Sequence, residues 1–408
     1  MSAGAFTGHL PGDRAYGRLL AGLFFAGVAT FAQLYSPQAV LPQIAAEFQV
    51  GPSTAALAVS ATTLSLAVTV LPWSVVADRI GRVPAMTIGI ILATVFGLLA
   101  PLSGDLTTLL VLRLLEGVGL GAVPAIALAY LSEEVDARHT AAAAGSYIAG
   151  TTIGGLSGRI VAGPLADVGG WHVGVLVVAV VCAASAAVFL LLVPRAEGFV
   201  PLRRRPPSPP GAGATLSLRE RLSANLRSPR QLALYAQGFL LMGAFVALYN
   251  YLGFHLTAPP FSLPPWAVSL LFVAYLAGTV TSPIAGSLAA RLGRLPVLLV
   301  SAAVMAAGAL LTLAPSLVVV LAGLLVFTAG FFAAHAIASG WAPAESVTDA
   351  RAQASSLYYL GYYGGSSLFG WMLGLLVVAG GWPAVVGAVT ALVVAAAAVA
   401  ALVLRPPR

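Results

Sequence analysis

The sequence predicts an all-α membrane protein with about twelve transmembrane helices in two similar halves. Of its 408 residues, 59% are hydrophobic and only 8% are charged, whereas a soluble protein carries about 25% charged residues. Membrane β-barrels are excluded, because their strands alternate over about ten residues and the apolar runs here are longer and apolar on every face. A short stretch that recurs in the second half of the chain indicates the duplication.

The net charge of +7 indicates topology and not a nucleic-acid-binding surface. Every basic residue is an arginine, and the arginines are concentrated in alternate loops. The opposite loops contain Glu47, Asp105 and Asp167 but no arginine. Because cytoplasmic loops of membrane proteins carry an excess of basic residues, we expect both termini and the central loop to lie in the cytoplasm.

Two short arginine-containing turns organise the chain. Residues 74–82, Ser-Val-Val-Ala-Asp-Arg-Ile-Gly-Arg, have a counterpart in residues 286–294, Gly-Ser-Leu-Ala-Ala-Arg-Leu-Gly-Arg. Each turn follows one long apolar run and leads into another. Gly81 and Gly293 allow the chain to reverse without a Cβ penalty, and the arginines are placed among lipid headgroups. Two such hairpins at one fixed period indicate a duplicated helical bundle.

The duplication extends beyond the two turns. Residues 125–127, 136–138 and 169–171 recur as 336–338, 349–351 and 380–382. The spans of the first half are predicted near 17–40, 53–76, 84–102, 107–131, 140–163 and 172–194, and those of the second half near 231–254, 266–288, 296–314, 317–342, 353–378 and 383–404. We therefore predict an N-terminal six-helix bundle in residues 1–194, a linker in 195–230 and a C-terminal six-helix bundle in 231–408.

The linker is the one long polar stretch. Its proline-rich part, 203–210, is predicted to be extended. Ser217 and Glu220 have the spacing of a capping box, and leucines and arginines follow them. Two interpretations remain open: a short amphipathic helix on the inner leaflet, or a solvated basic linker.

The two turns resemble the signature loop of the major facilitator superfamily (MFS), Gly-x-x-x-Asp-Arg-x-Gly-Arg, between helices two and three. The first copy has Ser74 where Gly is usual, and the second has Ala290 where Asp is usual. The resemblance covers nearly the whole chain. It implies the MFS fold, with two six-helix bundles related by a pseudo-two-fold axis. It also implies a monomeric secondary transporter of the bacterial inner membrane, whose partners are the lipid bilayer, a small-molecule substrate and protons.

Three charged residues lie within the predicted spans, where each costs several kcal/mol unless it is paired or hydrated. Arg113 and Glu116 are neighbours on one face of span four, and Arg159 lies on span five. Residues 113–121 resemble the span-four motif Arg-x-x-x-Gly-x-Gly, which is associated with proton coupling in MFS drug exporters. The resemblance makes Glu116 and Arg113 the predicted proton-coupling residues. A permanent ion pair that holds span four to its neighbours is the open alternative.

Residues 150–159 partly resemble the MFS antiporter motif of span five, with Gly155 in place of its Pro and Arg159 in place of its last Gly. Glycines at this spacing also suit plain helix packing. Arg159 is expected either to attract an anion or to pair with Glu116 or Asp167.

Polar and aromatic residues at similar depth are the candidate substrate ligands, because in this superfamily spans one, four, seven and ten line the central cavity. The predicted substrate-binding residues are Gln33, Tyr35, Arg113, Glu116, Arg159, Tyr249, Asn250, Tyr251 and His335. His335 is expected to lie lower than the others, toward the cytoplasm, and for it a hydrogen bond within the packing is an open alternative. Tyr358, Tyr359, Tyr362 and Tyr363 either line the path or anchor the helix at the interface.

The loop residues form a predicted set for conformational gating. By resemblance, Asp78 helps to close the cytoplasmic side by contacting the start of span eleven, where an anion is stabilised by a helix N-terminus. Ala290 cannot do this in the second half. The predicted gating residues are Asp78, Arg79, Gly81, Arg82, Arg138, Arg291, Gly293 and Arg294. The arginines are alternatively simple topology signals.

The sequence contains no metal-ligand spacing, Walker loop or Gly-x-Ser-x-Gly motif. We therefore expect no enzymatic activity, no cofactor and no metal site. The MFS resemblance favours proton-coupled export of small organic compounds of the drug or sugar type. The alternatives are proton-coupled uptake of an organic anion, translocation of lipid or lysolipid, and a non-transporting sensor on the same fold.

Overall fold

A computed structural model describes residues 8–136, 138–199 and 217–405. Within these ranges the chain is helical, apart from loops and one isolated β-bridge between His9 and Val135. The proline-rich segment predicted to be extended, 203–210, lies outside the described residues.

The chain divides into two compact units, residues 1–40 with 68–210 and residues 41–67 with 211–408. The helices up to the linker are α1 (Arg14–Tyr35), α2 (Leu41–Glu47), α3 (Pro52–Ile80), α4 (Arg82–Leu99), α5 (Leu106–Leu120), α6 (Pro124–Glu134) and α7 (Thr140–Leu192). Those after it are α8 (Leu218–Leu226), α9 (Pro229–Thr257), α10 (Pro265–Ser269), α11 (Ala277–Leu292), α12 (Arg294–Leu311), α13 (Leu317–Glu345), α14 (Arg351–Met372) and α15 (Gly374–Val403).

These helices account for the predicted number of spans. In the described part of the chain, nine helical segments are long and apolar enough to cross a membrane. One of them contains most of α7, which is 53 residues long and turns at Gly170, so it comprises two spans. Residues 106–134, which form α5 and α6, and residues 351–380, which start with α14, complete the set of twelve. The boundaries of the two predicted bundles stay a prediction.

Glycines with positive φ mark equivalent reversals in the two halves. Gly81 and Gly293, at the two signature turns, have φ values of 104° and 90°. Gly170 and Gly381, in the repeated Gly-Gly-Trp segments, have φ values of 79° and 64°. Because this region of backbone space favours glycine, the repeated sequence specifies the same reversals twice.

Two predicted span boundaries differ from the structure. The helix of span five continues through Pro164 to the turn at Gly170 and does not end near 163. The predicted first span, 17–40, begins earlier and is interrupted: α1 ends at Tyr35, and a 3₁₀ turn, Ser36–Val40, leads into α2. Pro37 has no N–H for an α-helical hydrogen bond, which fits a break at this position.

Close packing of α1 against α7 positions the charged residues described below. Gly150, Gly154 and Gly158 follow one stripe of α7 and face the backbone of α1. A Cβ atom added at Gly154 would lie 2.6 Å from the carbonyl oxygen of Val28. Only glycine permits this approach, as is common where helices pack in membranes.

Candidate functional site

Arg113 and Glu116 form a buried ion pair on α5. Arg113 Nη1 lies 2.5 Å from Glu116 Oε2, and the two residues are 1% and 0% exposed. Among the described residues, no group hydrogen-bonds to the second carboxylate oxygen, Oε1. The sequence prediction that these two side chains share one helix face is confirmed by this contact.

Arg113 also connects α5 to the break that ends α1. Its Nη1 donates to the carbonyl oxygen of Gln33 at 3.2 Å, and its Nη2 donates to that of Leu34 at 2.8 Å. The thiol of Cys182, on α7, lies close to the Gln33 backbone and to Glu116. The guanidinium therefore holds two backbone carbonyls and a carboxylate from two separate helices.

Arg159 lies beside the same break, on the other flank of α1. Its Nε donates to Gln38 Oε1 at 2.7 Å and its Nη1 donates to the Gly155 carbonyl oxygen at 2.5 Å. Its guanidinium carbon lies 4.3 Å from the centroid of the Tyr35 ring, within the range of a cation–π contact. The two roles predicted for Arg159, anion attraction and pairing with a carboxylate, stay predictions.

The structure thus gathers five of the predicted substrate-binding residues around the end of α1. Gln33 packs into a notch at Gly97 and donates from Nε2 to the Ala93 carbonyl oxygen at 3.2 Å. Like Arg113, Glu116 and Arg159, the side chains of Gln33 and Tyr35 are buried.

The predicted ligands of span seven lie in the second unit and contact neighbouring helices there. The Tyr249 hydroxyl is 2.7 Å from Thr328 Oγ1 on α13. Asn250 Nδ2 and the Tyr251 hydroxyl both donate to the carbonyl oxygen of Gly370 on α14, at 3.1 and 2.5 Å. These contacts join α9 to the helices on either side of it, and a role in binding substrate stays a prediction for all three.

His335 is in the same unit but is less enclosed. Its Nδ1 lies 2.9 Å from the Tyr358 hydroxyl, and the residue is half-buried. The rings of Tyr359 and Tyr362 are also half-buried and lie 6.4 and 4.8 Å from the imidazole, centroid to centroid. Part of this aromatic group is therefore accessible.

The first signature turn carries a compact ionic network. Arg82 is 7% exposed; its Nε and Nη2 donate to the two carboxylate oxygens of Glu133 at 3.0 and 2.7 Å. Its Nη1 donates to Asp78 Oδ1 at 2.7 Å. The two-pronged geometry on Glu133 is the strong form of an arginine–carboxylate contact. The predicted contact of Asp78 with span eleven stays a prediction.

The second signature turn is built differently. Arg294 is exposed, with its guanidinium carbon 5.9 Å from the centroid of the Trp341 ring. Glu345, 212 residues after Glu133, is paired instead with Arg230, whose Nε lies 2.5 Å from Glu345 Oε1. Arg79 and Arg291 are exposed, which suits the alternative that they are topology signals.

Comparison with known proteins identifies the family. The family model described as the Major Facilitator Superfamily matches residues 23–273 and 255–408. The chain belongs to the Major Facilitator Superfamily. It is therefore a multi-pass membrane transporter of small molecules and not an enzyme.

Two relatives match this MFS chain over most of its length. The uncharacterized MFS-type transporter YybF of Bacillus subtilis (strain 168) is 36% identical over 93% of this chain and 91% of its own. The inner membrane transport protein YnfM of Escherichia coli (strain K12) is 38% identical over 91% of this chain and 87% of its own. Neither name states a substrate.

Solved structures agree in fold. A bacterial homolog of the human lysosomal transporter Spinster, inward-facing and unoccupied, superposes with a TM-score of 0.75 at 16% identity, covering 97% of this chain and 96% of its own. A variant of the nucleoside transporter NupG superposes with a TM-score of 0.74 at 14% identity, and the match covers 95% of this chain and 100% of its own. At these identities the likeness shows the MFS fold alone.

In this MFS transporter, a buried carboxylate beside the first signature turn holds the start of the central loop. Glu134, 0% exposed, accepts hydrogen bonds from the backbone amides of Glu197 at 3.0 Å and Gly198 at 2.7 Å. Burial raises the pKa of the Glu134 carboxyl above its usual value, against the opposing effect of these two amides and of His9, whose Nε2 is 3.9 Å away. Arg138 is exposed and pairs with Asp136 at 2.9 Å, which lowers the Asp136 pKa.

Sequence reasoning missed Gln38, Glu133 and Glu134. Gln38 stands in a segment that is unusually polar for a span, and Glu133 recurs as Glu345 at the period of the duplication; both signals are visible in the sequence. Glu134 gives no such signal, because its partners are backbone amides. No group of three or more His, Cys, Asp or Glu side chains in the described ranges is arranged to hold a metal ion.

Proposed function

We propose that the protein is a proton-coupled secondary transporter that exports small organic compounds across the bacterial inner membrane. It functions as a monomer by alternating access between the bundles 1–194 and 231–408, which the cytoplasmic linker 195–230 joins, with both termini in the cytoplasm. The name of the Escherichia coli relative supports the inner-membrane location, and the arginine-rich loops support the topology.

The observation that supports proton coupling is the environment of the Glu116 carboxylate. Its side chain is fully buried, one carboxylate oxygen is paired with Arg113, and no described group bonds to the other. A buried carboxylate with an unused oxygen can take up a proton there without breaking a hydrogen bond. Ionisable residues inside membrane spans are expensive and usually functional.

The contacts of Arg113 connect this proposed proton site to the helix break that ends α1. When Glu116 takes up a proton, the pair loses its charge attraction, while Arg113 keeps the carbonyls of Gln33 and Leu34 as its other acceptors. Those carbonyls end α1 directly before the 3₁₀ turn Ser36–Val40. Protonation thus changes the force that α5 exerts on the break in the first span.

The remaining predicted residues take supporting roles. Gln33, Tyr35 and Arg159 contribute to substrate binding in the first unit, and Tyr249, Asn250, Tyr251 and His335 contribute in the second. Asp78, Gly81 and Arg82 gate the cytoplasmic side through the network with Glu133, helped by Arg79 and Arg138. Arg291, Gly293 and Arg294 form a weaker counterpart, since Ala290 cannot replace Asp78.

The competing proposal of organic-anion uptake depends on Arg113 and Arg159 being available to an anion. Both guanidinium groups are buried, and each already donates to at least two protein oxygens. An anion would have to displace those oxygens, which favours export of a neutral or cationic compound over anion uptake.

The test compares Glu116→Gln with the unaltered protein in proteoliposomes. A panel of small organic compounds is offered under an imposed pH gradient, and internal pH is followed with an entrapped dye. We expect Glu116→Gln to abolish gradient-driven movement while exchange at equal pH survives. Glu47→Gln, which alters an exposed carboxylate, serves as the control. If a compound accumulates inside right-side-out proteoliposomes together with protons, the protein is an uptake transporter and the export proposal is wrong. If gradient-driven transport by Glu116→Gln is unchanged, protons do not couple through this residue.

A further inference from the structure

The second unit contains an accessible aromatic surface made of His335, Tyr359 and Tyr362, which we call the aromatic wall. All three residues are half-buried. The imidazole centroid lies 4.8 Å from that of Tyr362, and the Tyr359 and Tyr362 centroids are 5.9 Å apart. These separations lie in the range at which aromatic rings interact favourably.

Fully buried rings hold the aromatic wall in place from behind. Phe331 stacks on His335 with an interplanar angle of 8°, and Tyr358 fixes the imidazole through the 2.9 Å contact with Nδ1. Phe331 and Tyr358 are each 1% exposed, and Tyr363 is 2% exposed. The wall is therefore a surface that rests on a packed base.

The aromatic wall carries hydrogen-bonding groups on its rings, namely the hydroxyls of Tyr359 and Tyr362 and the imidazole of His335. Nδ1 of His335 is held by Tyr358, which leaves Nε2 as the ring nitrogen that can meet a ligand. Ser366 lies one helical turn beyond Tyr362 on α14, and its fully buried hydroxyl has no hydrogen-bond partner in the described ranges. A half-buried imidazole is costly against acyl chains, so this face is better explained by a hydrophilic path than by contact with lipid.

The wall is electrically neutral. From Ala352 to Leu404 the sequence contains no Asp, Glu, Lys or Arg, and neither do the 28 residues of α13 that precede Glu345. The two helices that carry the wall therefore offer a ligand no ion pair, and on this surface ring stacking and hydrogen bonds supply the affinity.

We propose that the aromatic wall is a substrate-binding surface for neutral, planar aromatic compounds that carry a hydroxyl or similar polar group on the ring. The ring of the ligand stacks on Tyr359 and Tyr362, and its polar group hydrogen-bonds to His335 Nε2. This proposal rests on the proposed transport function, because it names the class of compound that is transported, but binding itself requires neither protons nor movement.

The test measures equilibrium binding of 2-naphthol to the full chain in lipid nanodiscs, by its fluorescence and by the rise in melting temperature. Decahydro-2-naphthol, which has the same hydroxyl on a saturated frame, is the comparison compound. We expect 2-naphthol to bind and the saturated compound to bind at least several-fold more weakly, because it cannot stack.

Variants distinguish binding at the aromatic wall from nonspecific hydrophobic binding elsewhere. His335→Phe keeps a ring and removes the hydrogen bond, and we expect it to weaken 2-naphthol binding roughly 2- to 10-fold. His255→Phe alters another stacked histidine, 4.8 Å from Trp382 and outside the wall, and is expected to leave binding unchanged. Tyr359→Leu and Tyr362→Leu are each expected to weaken binding.

Three results would overturn the proposal: no binding of 2-naphthol, equal binding of the saturated compound, or equal effects of His335→Phe and His255→Phe. Failure of the transport proposal is distinguishable. In that case binding follows the wall variants, but Glu116→Gln has no effect on gradient-driven movement.

Discussion

Arg113 and Glu116 face each other at 2.5 Å on α5, and both side chains are almost completely removed from solvent. The same guanidinium holds the last carbonyls of α1. The same ion pair therefore serves the packing of α5 against α1 and, in our proposal, proton coupling, and pairing substitutions can separate the two contributions.

We expect Arg113→Ala to destabilise the protein by about 3–5 kcal/mol, because it leaves a buried carboxylate without its cation. In the double variant Arg113→Ala/Glu116→Gln the carboxylate charge is gone. Its loss of stability should therefore be clearly smaller than the sum of the losses in the two single variants. Unfolding of the purified protein in mild detergent, followed by tryptophan fluorescence, measures these differences. Strict additivity would show that the pair contributes no interaction energy.

The contact between α1 and α7 predicts opposite effects for two glycines of one helix. At Gly154 a new Cβ would lie 2.6 Å from the Val28 carbonyl oxygen. At Gly145 a new Cβ would have no neighbour within 4 Å among the described residues, apart from the adjacent backbone of its own helix. Gly154→Ala should therefore cost about 1–3 kcal/mol through overpacking. Gly145→Ala should be neutral or stabilise by up to about 1 kcal/mol, because alanine favours the helix. Melting temperatures of the two variants, measured side by side, check this. Equal melting temperatures would mean that the helices separate to accept the added methyl group.

The sequence was most informative where the chain repeats itself. The two signature turns predict hairpins, and Gly81 and Gly293 have the positive φ values that a glycine reversal permits. The spacing of Arg113 and Glu116 predicts their contact because i and i+3 residues share a helix face. These features follow from local geometry.

Contacts between distant residues could not be predicted in the same way. Gln38 and Arg159 are 121 residues apart, and only the helix break at Pro37 and the glycine stripe of α7 bring them together. Glu134 binds backbone amides, which every residue except proline carries, so no side-chain pattern identifies its partners. Arg82 is buried and Arg294 is exposed, although both occupy the same position of the repeated motif.

Glu134 predicts a pH dependence of stability. Burial raises its pKa in the folded protein, so in the interval above the usual glutamate pKa of about 4.3 the folded state retains a proton that the unfolded chain has lost. Stability from this group is therefore present at lower pH and falls as the pH rises through the raised pKa. His9 opposes the shift and Glu197 adds to it.

The variant Glu134→Gln removes this titration and keeps one acceptor oxygen for the amides of Glu197 and Gly198. We expect its melting temperature, relative to the unaltered protein, to rise as the pH is increased through this interval. Glu47→Gln, at an exposed carboxylate, should show no such trend. A constant difference between Glu134→Gln and the unaltered protein at all pH values would contradict the prediction.

The other end of the central loop is held by a residue in the position equivalent to Glu134. Ser346, 212 residues later, donates from Oγ to Asn225 Oδ1 at 2.8 Å, and Asn225 Nδ2 donates to the Ala350 carbonyl oxygen at 3.0 Å. Asn225 belongs to α8, which begins with both hydrogen bonds of a capping box between Ser217 and Glu220. Whether α8 lies on the inner leaflet stays a prediction.

We expect Asn225→Ala to loosen α8, although alanine has the higher helix propensity. A helix of nine residues is marginal by itself. The substitution removes the hydrogen bonds of Asn225 with the Ala350 carbonyl and the Ser346 hydroxyl, at a cost of about 1–3 kcal/mol. Trypsin should then cleave after Arg219 and Arg221 several-fold faster, which mass spectrometry of a time course resolves. Ser223→Ala, on the same helix, is the matched control. If Asn225→Ala and Ser223→Ala are cleaved at the same rate, the capping box alone maintains α8 and the anchor at Ser346 is dispensable.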